Sequence, residues 1–172
     1  LTNQQSEITF VLAAIFDQSL YSWRSFLDYY LKYLLYFQTG DYIVTMSLNK
    51  FFDKISKFIQ ENPENNRIIE IDNYIRTKVF NPKYNNGKGC WGDLLRSLRD
   101  KTTHQKLIKP TLIKQPNNQG YTIEWPTIQG HSYSQLAQMK FENPAYQMLL
   151  DLFPILYGFE WITGPYKEGM FG

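Results

Sequence analysis

The sequence predicts an all-α fold, an antiparallel helical bundle with one small β-hairpin inserted near residues 111–125. Three observations lead there. Apolar residues recur at threes and fours through most of the chain. The gaps between those runs hold Gly, Pro and Asn, which favour turns. A single passage carries the short β-type runs of a hairpin. With 172 residues and 43% hydrophobic content, the chain suits one domain over 1–172 with a sizeable core.

The longest run comes first. Ile8, Val11, Leu12, Ile15, Phe16, Trp23, Phe26, Leu27, Tyr30, Leu31 and Leu34 predict an amphipathic helix over roughly 5–38, closed by Gly40. Its apolar start, "ITFVLAAIF", is nine residues long, whereas a membrane span needs about 20. No Lys or Arg precedes it, so it lacks the basic region of a secretory signal. The chain opens with Leu1 rather than Met, which leaves room for residues ahead of it.

Asp41 is the expected cap of a second helix, with Ile43, Val44, Met46, Leu48, Phe51, Phe52, Ile55, Phe58 and Ile59 inward. "ENPEN" stops it near Glu61, and Asn62–Pro63 offers the next start. Ile68, Ile71, Ile75 and Val79 form the stripe of a shorter third helix, and "NPKYNNGKG" (81–89) is a loop. A fourth helix begins near Cys90, turns Trp91, Leu94, Leu95 and Leu98 inward, and ends by Lys109–Pro110. "TLIKQ" and "YTIEW" flank the turn cluster "PNNQG" and make the hairpin, which Pro126 and Gly130 close. Helical patterning resumes near Ser132, restarts at Asn143–Pro144, and meets Pro154, which should kink or break the last helix. "TGPYKEGMFG" is an irregular tail.

The net charge of +2 argues against a strongly basic, histone-like binder. The distribution is uneven. Residues 83–114 hold eight Lys or Arg against Asp93 and Asp100, a net +6, which leaves −4 for the rest. A cationic stretch of this kind is the footprint of a phosphate-bearing ligand. Cys90 is the sole cysteine, so no intramolecular disulfide forms, which suits a reducing, cytoplasmic setting. It reads as a small side chain near a helix start, without the partners of a zinc site.

Within the cationic stretch lies "RSLRDKTTHQ" (96–105), with one of the two histidines. Asp100 and His104 stand four apart and share a helix face. A contact between them would fix the imidazole tautomer and raise its pKa. Arg99, about 140° round the axis from His104, brings a planar fork that suits a phosphate. His as proton carrier beside Arg as charge stabiliser is enough to cleave RNA through its own 2′-OH. That chemistry calls for no metal and no cofactor. An Asp100–His104 pair could start a metal site, but no third ligand follows at fixed spacing. The plainer reading of the stretch is the wet side of an ordinary helix.

"LLRSLRDKTTH" resembles the signature helix of the HEPN family (higher eukaryotes and prokaryotes nucleotide-binding), whose motif is Arg, a polar residue, a short gap, then His. Here it reads Arg99–Asp100–Lys101–Thr102–Thr103–His104. The resemblance covers one helix in detail and the remainder as architecture. It implies a small helical bundle that dimerises so that two motifs meet across a two-fold axis. It further implies a metal-independent endoribonuclease, of the kind found in toxin–antitoxin and phage-defence systems. Arg99 would clamp the scissile phosphate, His104 would move protons, and Asp100 would orient the site. Arg96, Lys101 and Lys106 would hold the RNA backbone. Some members are silenced by a partner nucleotidyltransferase antitoxin that modifies a Tyr two residues after the His; that position here is Lys106. Other members are non-catalytic modules that bind RNA or partners, and this alternative stays open. A small-ligand or nucleotide sensor is a third class, because helical bundles offer interhelical pockets.

Two features fall outside the motif. His131 follows Gly130 in a loop and reads as an exposed loop residue, or else as a second ligand or acid/base group near His104. The aromatic run "YYLKYLLYF" (29–37) could stack bases. It reads more simply as a helix apolar on most faces, either buried or meeting a second copy.

Overall fold

The computed structural model describes residues 3–40, 47–83, 89–104, 108–116, 120–128, 132 and 135–158; at 3–5 and 101–104 it describes the backbone alone. Among these residues the chain is mostly helical with a two-stranded antiparallel sheet. No described helix is long and apolar enough to cross a membrane.

Helix α1 runs Asn3–Thr39. Ala13, Leu20, Leu27 and Leu34 fall seven apart on it and are all buried, so one seam of the helix faces the core along most of its length. Gly40 ends it with φ of 75°, donating its N–H to the Tyr36 carbonyl. The phase of that seam corrects one expectation. Ile8, Val11 and Ile15 are apolar at helical spacing but stand on the outer face with Phe10, while Thr9, Ala13 and Phe16 point inward. The seam set by the leucines downstream fixes which face turns in, and it is offset from the first apolar stripe.

Helix α2 spans Leu48–Glu61 and starts later than Asp41 suggests. Ser47 is its N-cap, extended in backbone, with its side-chain oxygen accepting from the Lys50 N–H. Asp41, Ile43, Val44 and Met46 lie outside the described residues. Asn62 closes the helix by donating its N–H to the carbonyls of Phe58 and Ile59. Helix α3, Asn66–Tyr74, is capped by Asn65 and passes into a π-helical turn at Ile75–Val79. Ile68, Ile71, Ile75 and Val79 are fully buried, as their spacing predicts. Helix α4 follows at Trp91–His104.

Strands β1 (Thr111–Lys114) and β2 (Tyr121–Glu124) form the expected hairpin, with Leu112 opposite Ile123. Trp125, at its foot, sets its ring 5.8 Å from Phe16 of α1. After it comes a π-helical turn, Leu136–Glu142, which runs straight into α5, Asn143–Tyr157. The helix therefore does not restart at Asn143–Pro144. Pro144 has no N–H to return to the preceding turn, and the wider π turn sits just before it. Nor does Pro154 break α5, which runs on to Tyr157 and ends at Gly158 in the left-handed conformation.

The helices share a single core cluster. α1 packs on α4 and α2, α2 on α3, and α3 on α5. α5 returns to α1 through rings, with Phe37 and Tyr157 centroids 5.5 Å apart.

Candidate functional site

The site is built on the last turns of α4. Its start is well defined. The Asp93 carboxylate accepts the Cys90 N–H at 3.1 Å, half of a capping box, and its charge suits the positive end of the helix. Gly92 permits close packing: a Cβ there would lie 2.7 Å from the Val79 carbonyl oxygen. Cys90 is buried, and its Sγ–H donates to the Thr77 carbonyl at 3.4 Å. Burial pushes its thiol pKa up, away from the reactive thiolate form.

From this start Trp91, Leu94, Leu95 and Leu98 turn inward. That ladder fixes the rotation of the helix and thus what faces out. Arg96 and Ser97 are exposed. The Arg99 and Asp100 side chains are 36% and 53% exposed, and Arg99 Nη1 lies 3.8 Å from Asp100 Oδ1. An ion pair this open is weak in water, and a phosphate can compete for the guanidinium. The helical backbone continues through position 104, so positions 100 and 104 share a face.

Sequence reasoning brought six residues to this site and offered His131 as a seventh. The structure places Arg96, Arg99 and Asp100 on the outward part of α4. Lys101 and His104 are on the same helix by backbone, and their side chains lie outside the described residues. Lys106 and His131 lie outside them altogether. Of the other cations in the basic stretch, Lys83, Lys109 and Lys114 are exposed. Among the described residues no three of His, Cys, Asp and Glu gather as a metal site.

A second constellation escaped the sequence reading. The "YYLKYLLYF" segment divides by residue type. Leu31, Leu34 and Leu35 are buried, while Tyr29, Tyr33, Tyr36 and Phe37 are exposed in part. Tyr33 shares a hydrogen bond with Tyr157, 124 positions away, with 2.5 Å between the oxygens. Behind them Tyr74 donates to Asp151 Oδ2 at 2.7 Å and Gln147 donates to Oδ1 at 2.6 Å, which ties α3 to α5. Burial, then the nearby phenols, push Tyr30 up to about 12; the Tyr157 hydrogen bond, then burial, do the same to Tyr33. Only periodicity in 146–157 hinted that these rings would meet α1.

No family model, curated protein or solved structure matches the chain.

Proposed function

We propose that the protein is a metal-independent endoribonuclease of the HEPN type, acting as a homodimer in a toxin or defence setting. The observation that carries this reading is the geometry of α4. A buried leucine ladder holds the helix in place, and Arg99 and Asp100 stand side by side on its outward part, one helical turn before His104. The +6 charge of the surrounding segment suits the RNA backbone.

In this reading Arg99 binds two oxygens of the scissile phosphate and stabilises the charge that grows in the transition state. His104 accepts the 2′-OH proton and the partner copy's motif helps protonate the leaving 5′ oxygen, as a shared two-fold site allows. Asp100 holds the imidazole in one tautomer. The products are a 2′,3′-cyclic phosphate and a 5′-hydroxyl.

The test is incubation of the purified protein with total RNA, with and without EDTA, beside Arg99→Lys and His104→Ala. The expected result is cleavage that persists in EDTA and fails in both variants, because Lys keeps the charge but not the fork. A wild type inert on RNA would turn the reading to a non-catalytic interaction module. Light scattering at micromolar concentration should show a dimer, and a monomer would count strongly against the shared site.

A further inference from the structure

The second half of α1 and helix α5 leave a groove between them, remote from the motif. The hairpin that follows α4 packs at Phe16 of α1, whereas the groove begins at Tyr30. Its volume is about 290 Å³, and Tyr30, Tyr33, Tyr146, Leu149, Phe153 and Tyr157 supply most of its wall. Among the described residues no charged side chain lines it. The rings present faces at several angles: Tyr30 and Tyr33 are nearly parallel with centroids 6.2 Å apart, and Phe153 and Tyr157 are tilted at 4.6 Å. The Tyr33–Tyr157 hydroxyl pair gives this apolar wall one polar edge.

We propose that this groove binds a small, neutral, planar aromatic compound with one hydrogen-bonding group, of the indole or phenol class. Size argues first. The volume sits at the lower end for small-molecule pockets, room for one or two fused rings. Shape argues next, because several ring faces at different tilts favour offset and edge-on contacts with a flat guest. Charge decides the class. An anion would meet no cation among the described lining residues, only phenols and hydrocarbon. A cation would find ring faces but no carboxylate among the described lining residues, since Asp151 is engaged by Tyr74 and Gln147 outside the groove. A polar edge of two phenol oxygens matches one hydrogen-bonding group on the guest. The described lining, all rings and leucines, differs in chemistry from the cationic stretch of the proposed nuclease site.

The experiment is a titration of the full chain, labelled in its leucine methyls, with indole. Benzoate and tetramethylammonium serve as charged counterparts of similar size. Saturable shifts are expected for Leu149, Leu150 and Leu156, with little response to either ion. Tyr146→Ala should weaken indole binding roughly fivefold, the scale of one lost ring contact. That ring is 60% exposed, so the fold should survive its loss. Tyr33→Phe should weaken binding by a smaller factor while leaving the methyl spectrum intact. Shifts that never saturate, an equal response to benzoate, or affinity unchanged in Tyr146→Ala would overturn the proposal. So would methyl shifts that move with protein concentration alone, which would mark the groove as covered by a second copy.

Discussion

The outer end of α4 and the seam between α1 and α5 are opposites in construction. The first is charged, borne on one helix, and held by leucines buried directly beneath it. The second is neutral and aromatic, and assembles residues 30–37 with 146–157. The difference teaches that a site on a single helix inherits its geometry from local periodicity, while a groove depends on how two distant helices meet. The two should therefore respond independently to substitution.

The largest expected effect separates them outright. His104→Ala should lower RNA cleavage on the order of 10²- to 10⁴-fold while indole binding stays unchanged. If both activities fall together, the variant has damaged the fold and the separation fails. Next in size is the support beneath the motif. Leu95 is fully buried, so Leu95→Ala should cost about 2–5 kcal/mol in urea unfolding. Tyr146→Ala, on the exposed seam, should cost less than roughly 0.5 kcal/mol. Equal losses would mean that the seam carries core packing too.

The seam can be tested by pH. A phenol at about 12 in the fold, against an ordinary value of 10.0, keeps its proton after its unfolded counterpart has ionised. The stability that Tyr30 and Tyr33 lend is thus complete below pH 10 and is lost as pH rises through 12. Tyrosinate absorbance should show a late-titrating group in the native protein, and Tyr157→Phe should advance the titration of Tyr33. A native titration curve identical to that of the unfolded chain would rule out the buried, bonded phenols. The smallest effect belongs to the cationic stretch. Replacing Lys101 and Lys106 with Gln should reduce the slope of log K against log[salt] for single-stranded RNA by about 1.4, two phosphate contacts' worth. An unchanged slope would place the RNA elsewhere.

The same contrast explains what could be read from the sequence. The inward set of α4 follows from threes and fours, because Trp91, Leu94, Leu95 and Leu98 need only local helix geometry to share a face. The hairpin follows from "PNNQG" between two short β-type runs. The start of α1 misled, since Ile8, Val11 and Ile15 make a stripe as regular as the buried one, and only tertiary packing, such as that of Phe16 on Trp125, selects between them. The α2 cap was displaced from Asp41 to Ser47 because both residue types can cap and local sequence does not rank them. Pro144 suggests a restart and Pro154 a kink or a break, yet a π turn precedes the first and the helix runs unbroken past the second. Arg99, Asp100 and His104 were singled out by their spacing together with a resemblance to one family's signature helix. The ring partners Tyr33 and Tyr157 were not, because 124 positions separate them and no local period links them.

The central claim is that the α4 end cleaves RNA by 2′-OH attack, and one measurement addresses it directly. An oligoribonucleotide cut at a mapped position should be presented to the protein in EDTA, unmodified and with a single 2′-O-methyl at that position. The account predicts a 2′,3′-cyclic phosphate end on the unmodified strand and no cut at the methylated position. Equal cleavage of both strands, or a product ending in a 3′-hydroxyl, would contradict it.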